Sequence, residues 1–198
     1  MRIIVGIGNP GNSYKDNRHN VGFQFLDFFA QKKNLLFNAS KFDYHFAEGE
    51  LSGNPFVLVK PDTYVNNSGL AVLDCIRYYS ANVEDVLVVV DDIHLNFSDI
   101  RIRRSGGDGG HNGLNSIIYH LSSENFSRLR IGIGSDFESG SLVNYVLSNF
   151  NKNDFVQLEK TFNLSIQLVE SFILDGYSNM LSTFSRLKNL DKLNKESE

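Results

Sequence analysis

Two short, continuous runs rich in β-branched residues constrain the fold of this chain more than any other feature. They are Arg2–Gly6 (RIIVG) and Val86–Val90 (VLVVV), and neither shows the alternation of a strand with one face in water. Such runs are typical of strands that are covered on both faces by helices. Since helical patterns alternate with the predicted strands along the chain, we expect an α/β fold.

The rest of the pattern supplies helices and a hairpin. Apolar residues recur with helical spacing after Asn20 and over 68–79, 114–121, 154–174 and 178–187. Strand patterns at 44–51 and 56–60 flank a Ser-Gly-Asn turn and predict an antiparallel hairpin. We therefore predict one domain over residues 1–187, with a mixed, mostly parallel β-sheet flanked by helices on both faces. The polar segment 188–198 is expected to be a frayed tail.

Composition restricts the possible classes of function. The 198 residues carry a formal net charge of −4, so any contact with nucleic acid must rest on a local basic patch. The single cysteine, Cys75, excludes an internal disulfide and a multi-cysteine zinc site, which suits a reducing cytoplasm. We expect Cys75 to be a buried small hydrophobic residue. No apolar run is long enough to cross a bilayer, and early glycines argue against a signal peptide.

Three polar, glycine-punctuated stretches carry the candidate chemistry. They are Val5–Phe23, Lys60–Gly69 and Gly106–Leu114, and each leads into a helical pattern. Polar loops on rigid elements commonly form the rim of an active site. Within these stretches His19 and His111 each precede an asparagine at the mouth of a predicted helix. The three stretches therefore predict a polar site at one edge of the sheet.

The first stretch also matches a dinucleotide-binding fingerprint, but only in form. Gly6, Gly8 and Gly11 satisfy G-x-G-x-x-G after a strand, yet Pro10 lacks an amide and no helix begins there. The acidic residue expected after a second strand is missing, because Asp27 lies in a helical pattern. A nicotinamide-dependent enzyme is therefore a distant alternative. The G-x-S-x-G, H-E-x-x-H and Gly-Lys-Ser/Thr signatures are absent from the sequence.

The polar residues of these stretches suit hydrolysis without a metal or a covalent intermediate. Ligands gather beyond the carboxyl ends of parallel strands, where Asp92 follows the Val86–Val90 run. A neutral imidazole can take a proton from water, and a carboxylate on its other nitrogen fixes the tautomer. Side-chain amides can form hydrogen bonds with a peptide backbone or stabilise an oxyanion. Such amides lie at Asn9, Asn66, Asn67 and Asn112.

Arginines cluster between residues 101 and 130. Five arginines against Asp108 and Glu124 give this segment a formal balance of +3 within an acidic protein. The segment is a candidate phosphate-binding strip. The alternative is that these charges only keep the edge of a sheet soluble.

These motifs together resemble the bacterial peptidyl-tRNA hydrolase family. The similarity spans residues 1 to about 134 and rests on GIGNPGNSY, RHNVGF, KPDTYVNNSG, VVVDD, GGDGGHNGL and RLRIGIG. The resemblance implies hydrolysis of the ester between a peptide and the 3′-terminal ribose of tRNA, which recycles tRNA from aborted translation. It also implies a cytoplasmic, generally monomeric enzyme that uses no metal or other cofactor.

The resemblance assigns roles to particular residues. It implies that His19 is the catalytic base and that Asp92 is its orienting carboxylate. The implied substrate-binding residues are Asn9, Tyr14, Asn66, His111 and Asn112, and the implied tRNA-phosphate residues are Arg103 and Arg130. The segment 135–141 (SDFESGS) departs from the family pattern, which leaves its tRNA contacts undefined.

The main alternative is a protein with the same scaffold but without hydrolase activity. The family resembles a plant organelle RNA-splicing partner of this kind. A pure binding scaffold has no need of the complete set of implied site residues. Their joint presence therefore favours the enzyme over the RNA-binding protein.

Overall fold

A seven-stranded mixed sheet forms the centre of the structure, a computed structural model that describes the backbone of residues 1–195 and the side chains of residues 1–190. The strands are β1 (Arg2–Gly6), β2 (Asn38–Ala39), β3 (Tyr44–Leu51), β4 (Asn54–Pro61), β5 (Val86–Asp92), β6 (Ile100–Arg103) and β7 (Ser127–Gly132). Their order is β2-β3-β4-β1-β5-β7-β6. In the described chain three pairings are parallel (β1–β4, β1–β5, β5–β7) and three are antiparallel (β2–β3, β3–β4, β6–β7). The sheet is thus evenly mixed rather than mostly parallel.

Helices cover both faces of this sheet. They are α1 (Val21–Lys32), α2 (Ser68–Tyr79), α3 (Asn112–Leu121), α4 (Leu142–Val146) and α5 (Lys152–Lys195). One apolar cluster joins α1 and α5 to the sheet, and a second joins α2 and α3 to the opposite face. The predicted α/β fold with helices on both faces is confirmed. Over the described residues, none of the helices combines the length and apolar character that crossing a membrane requires.

The last helix is broken where the sequence predicts a gap between two helical segments. Asp175 and Gly176 have non-helical backbone angles inside α5, and φ of Gly176 is +69°. Beyond this kink the helix continues to Lys195, so the predicted boundary at residue 187 does not coincide with its end. Residues 196–198 of the predicted tail lie outside the described residues. The short elements β2 and α4 were not predicted.

Two glycines bring α1 against the ends of β1 and β5. A Cβ added to Gly22 would lie 2.5 Å from the carbonyl oxygen of Val89 and 2.6 Å from the amide nitrogen of Ile7. A Cβ added to Gly6 would lie 2.5 Å from the carbonyl oxygen of Gly22. Only residues without a Cβ allow so close an approach of helix and strand. Because His19 lies just before α1, this contact also fixes its position over the sheet.

Candidate active site

His19 lies beside a buried carboxylate at the carboxyl end of β5. It belongs to the 3₁₀ turn Arg18–Asn20, which leads directly into α1. Its Nδ1 is 2.9 Å from Oδ1 of Asp91, whose side chain is only 2% exposed. The prediction that Asp92 orients His19 was therefore wrong by one residue.

Strand alternation explains why the partner is Asp91 and not Asp92. Asp91 falls on the same face of β5 as Leu87 and Val89, which pack under α1. Asp92 falls on the opposite face, where Oδ2 accepts a hydrogen bond from Nη1 of Arg130 at 3.1 Å. Oδ1 of Asp92 accepts a second one from the backbone amide of the loop residue His94 at 2.8 Å. The two neighbouring aspartates thus serve different parts of the site.

His111 reaches the same carboxylate from the start of α3. Its Nε2 is 2.9 Å from Oδ1 of Asp91, while Nδ1 accepts hydrogen bonds from the amides of Gly113 at 3.1 Å and Leu114 at 3.3 Å. A ring nitrogen that accepts two backbone N–H groups carries no proton. His111 is therefore the N-cap of α3 and a neutral imidazole that donates its Nε2 proton to Asp91.

The charge on Asp91 controls the proton affinity of His19. Burial alone would lower the pKa of His19, but the Asp91 carboxylate and its hydrogen bond raise that pKa above the ordinary value. Burial alone would raise the pKa of Asp91, yet His19 and the hydrogen bonds from both rings hold it well below its usual range. Asp91 is therefore ionised and accepts the Nδ1 proton of His19. The Nε2 lone pair of a neutral His19 is then free to take a proton from water.

The same three side chains also approach the geometry of a metal site. Nδ1 of His19, Nε2 of His111 and Oδ1 of Asp91 lie within 4.8 Å of one another. Coordination through Nε2 would move the ring proton of His111 to Nδ1 and so break both hydrogen bonds that cap α3. The donor set therefore suits proton transfer better than metal binding. The expectation of an enzyme without a metal stays a prediction.

Asn9 is a fixed amide donor at the end of the β1 loop. Its backbone amide donates to Oδ1 of Asn20 and its carbonyl accepts from Nδ2 of Asn20, each at 2.9 Å. Its own Oδ1 accepts from the amide of Val65 at 3.0 Å. These bonds fix the orientation of the side chain and leave its Nδ2 without an acceptor among the residues that the structure describes. A substrate carbonyl or oxyanion could accept from it.

The other predicted substrate-binding residues lie at helix starts or on the rim. Asn66 belongs to the 3₁₀ turn before α2 and Asn112 is the first residue of α3, and both side chains are exposed. Tyr14 is half-buried and packs edge-on against Tyr64, with ring centroids 6.4 Å apart. The exposed amides leave donors and acceptors available to a substrate.

A cavity of about 120 Å³ opens over the carboxylate. It brings together His19, Asp91, Asp92, His111, Asn112 and Arg130. One of its walls is apolar and consists of Leu142, Val143 and Val146, the inner side of α4. This wall was not predicted from the sequence, in which the apolar residues of the 142–146 segment were the available signal. Asn9 lines a neighbouring cavity, and Tyr14 and Asn66 line neither of the two.

A basic cavity of about 270 Å³ adjoins the first one, and Arg130 lines both. Arg101, Arg103 and Arg128 complete its charged lining. Arg128 is 1% exposed, and its Nε and Nη1 have no hydrogen-bond partner within the described chain. Burial lowers the pKa of Arg128 to about 10, with a contribution from the charge of Arg130, so the side chain still carries its charge at neutral pH. Its Nη2 donates to the carbonyl oxygen of Gly106, which is neutral, so the guanidinium has no anionic partner among the described residues and its two unpaired donors favour the binding of an anion.

The prediction that Cys75 is a buried small hydrophobic residue is confirmed. Its side chain is fully buried in the cluster under α2, and burial raises the pKa of its thiol to about 12. A thiol of this kind is not a nucleophile at neutral pH. The reactive groups of the molecule are therefore at the edge of the sheet, around His19.

Fold and site together define a class of protein: an enzyme with an α/β fold in which a carboxylate-oriented imidazole lies beside an arginine-lined cavity, an arrangement suited to hydrolysis. Comparison with known proteins gives the family. The chain belongs to the peptidyl-tRNA hydrolase family, whose family model matches residues 3–193. The resemblance drawn from the motifs is confirmed, and with it the prediction of a hydrolase rather than a binding protein on the same scaffold.

Relatives from distant bacteria match over nearly their whole length. The peptidyl-tRNA hydrolase of Clostridium acetobutylicum is 40% identical over 188 residues, which are 95% of this chain and 100% of that protein. That of Thermotoga maritima is 41% identical over 186 residues, or 94% and 98% of the two chains. A crystal structure of peptidyl-tRNA hydrolase from Acinetobacter baumannii superposes with a TM-score of 0.86 at 32% identity, covering 92% of this chain and 93% of that one.

Proposed function

We propose that this enzyme hydrolyses the ester bond of peptidyl-tRNA with His19 as the general base. The observation that carries the proposal is the hydrogen bond between Nδ1 of His19 and the buried, ionised Asp91. This bond fixes the tautomer and leaves Nε2 as the acceptor. His111 supplies the second hydrogen bond that holds the carboxylate in place.

The reaction then runs in two proton transfers. Nε2 of His19 takes a proton from water while the water oxygen attacks the ester carbonyl carbon. Asp91 stabilises the imidazolium that forms, and Nδ2 of Asn9 donates to the developing oxyanion. When the tetrahedral intermediate collapses, the carbon–oxygen bond to the ribose breaks and His19 returns the proton to the ribose oxygen. The products are a peptide carboxylate and a tRNA with a free terminal ribose.

The order of strands supports a direction for the substrate across the strands of the sheet, from β6 toward β1, with Arg103 level with Arg128 rather than with the strand end at Asp91. Arg103 on β6 and Arg130 on β7 precede Asp91 on β5 in the spatial order, and Asn9 follows after β1. The basic cavity on the β6–β7 side suits a tRNA phosphate, with the buried guanidinium of Arg128 beneath it. The peptide then extends toward β1, where the amides of Asn66 and Asn112 can pair with its backbone, next to Tyr14.

We also propose a domain organisation, an oligomeric state and a location for this protein. Residues 1–187 contain every proposed site residue, and we assign the activity to a single domain that acts as a monomer on peptidyl-tRNA in the cytoplasm. His19, Asp91 and Asn9 together supply a base, its partner and an oxyanion donor. We therefore propose that the reaction requires no metal or other cofactor.

A direct assay tests this function. The purified protein is incubated with peptidyl-tRNA labelled in the peptide, with and without a chelator, and released peptide and free tRNA are counted. His19→Asn is expected to lower turnover by about 10²–10⁴-fold, the usual contribution of a general base. The matched control is His120→Asn, because Nδ1 of His120 lies near only a backbone oxygen, that of Ser116 in α3. A His19→Asn enzyme with near-normal turnover would refute the assignment.

A further inference from the structure

A third cavity lies at the same edge of the sheet, on the side of Asn9 away from the arginines. Continuing the spatial order past β1 leads to β4 and β3, which are paired so that Lys60 faces His45. Both residues line a cavity of about 290 Å³ that also reaches Asn9. The catalytic carboxylate therefore stands between the basic cavity and this third one.

Two phenyl rings and the stem of a lysine form the apolar part of the wall of this third cavity, and we call this part the aromatic pocket (Phe23, Phe37 and Lys60). Polar residues complete the lining of the cavity. Phe23 comes from the first turn of α1 and Phe37 from the segment before β2. The ammonium group of Lys60 lies 4.2 Å from the ring centroid of Phe37 and 5.7 Å from that of Phe23. Both rings are only partly buried, and part of each ring lies at the surface of the cavity.

Most of the charged side chains around the aromatic pocket have a partner within the described part of the protein. Lys60 is paired with Asp27, and Nδ1 of His45 lies 2.7 Å from Oδ1 of Asp62. A ligand therefore finds few free charges in the pocket apart from the exposed Lys15 at the rim. The apolar surface of the pocket consists of the two rings and the methylene stem of Lys60. This chemistry favours an apolar, and above all an aromatic, group.

Size and distance restrict what that group can be. Pockets for small-molecule ligands usually begin at about 300 Å³, so a cavity of this volume suits one large side chain rather than a whole ligand. Two inter-strand steps separate Asp91 on β5 from Lys60 on β4, or roughly 10 Å. Consecutive Cα atoms are about 3.8 Å apart. The residue that precedes the esterified one, together with its side chain, covers this distance.

We infer that the aromatic pocket binds the side chain of the peptide residue that precedes the esterified residue, and that it selects aromatic side chains there. The inference rests on the proposed function, because it requires a peptide ester at His19. The aromatic pocket would give the enzyme a preference among peptides, whereas the asparagine amides of the site hydrogen-bond only the peptide backbone. Phe37 and Phe23 are thus specificity-determining residues, and they take no part in the proton transfers.

The test uses two substrates that differ at a single position. Both are N-acetylated dipeptidyl-tRNAs with the same tRNA and the same esterified residue, preceded by either phenylalanine or glycine. The unmodified enzyme is expected to have a kcat/KM about tenfold higher for the phenylalanine substrate, equivalent to about 1.4 kcal/mol. Phe37→Ala should bring the ratio of the two kcat/KM values close to one, because it lowers kcat/KM for the phenylalanine substrate alone. The matched control is Leu36→Ala, since Leu36 is 83% exposed and lies outside the pocket.

Each outcome has a distinct meaning. Equal kcat/KM for the two substrates in the unmodified enzyme, or an unchanged preference in Phe37→Ala, would refute the aromatic pocket while leaving the hydrolase function intact. Failure to cleave either substrate would refute the proposed function and the inference with it. Phe37 also packs against the core, so Phe37→Leu provides a second, better-tolerated variant. It keeps an apolar group but removes the ring, and an intermediate ratio is expected.

Discussion

Replacing each of two adjacent aspartates with asparagine should separate catalysis from tRNA binding. In Asp91→Asn the acceptor of two imidazole hydrogen bonds loses its charge. Hydrogen bonds to charged groups are worth about 1.5–3 kcal/mol and neutral ones about 0.5–1.5 kcal/mol, so the two bonds together lose about 2–3 kcal/mol. If most of this acts on the imidazolium of the transition state, kcat falls about 10–100-fold. Asp92→Asn leaves both bonds in place and should keep kcat near normal while raising KM through Arg130.

The pH dependence gives a second readout of the same pair of variants. The Asp91 carboxylate raises the pKa of His19, and only a neutral His19 can accept a proton from water. Loss of that charge lowers the pKa, so the acidic limb of the kcat profile should move to lower pH in Asp91→Asn. It should stay in place in Asp92→Asn. Initial rates with peptidyl-tRNA across the pH range provide the measurement. A larger loss of kcat in Asp92→Asn than in Asp91→Asn would refute the assignment of the two carboxylates.

Three further outcomes are expected. His111→Asn should lower kcat but keep the thermal stability, because asparagine is also a good N-cap, whereas His111→Ala should lose about 1 kcal/mol of stability in addition, measured by thermal unfolding. Arg103→Ala should raise KM and reduce by about one the slope of log K for tRNA binding against log salt concentration. Arg104→Ala is the control, because Arg104 lies outside the basic cavity, and it should leave the slope unchanged. Equal slopes in the two variants would contradict a phosphate role for Arg103. Asn112→Ala should lower kcat/KM for N-acetylaminoacyl-tRNA by an amount equivalent to about 1–3 kcal/mol, and should lower that for the unacetylated substrate less. An equal loss for both substrates would contradict binding of the peptide backbone by Asn112.

The sequence predicted the sheet, the helices and most of the site because those features follow from local periodicity and motif spacing. The strand at Val86–Val90 was predicted, with Asp91 and Asp92 at its end. Which aspartate meets His19 depends on which face of β5 carries α1, and periodicity within one strand does not contain that information. The neutral state of His111 likewise follows from two backbone amides and not from its neighbours in sequence. The wall formed by α4 (142–146) follows the divergent segment 135–141 and lies beyond the last motif, which ends at about residue 134, so no motif marked it.

The capping role of His111 makes the first turn of α3 and the active site a single cooperative unit. Local opening of that turn would release the amides of Gly113 and Leu114 and free the ring of His111 to move away from Asp91. Asp91 would then lose one of its two imidazole hydrogen bonds, and its carboxylate would be held less firmly against His19. Protection of these two amides from hydrogen exchange therefore reports, at equilibrium, the fraction of molecules that hold the catalytic geometry. Solution conditions that loosen the helix start should reduce activity well before the protein unfolds globally.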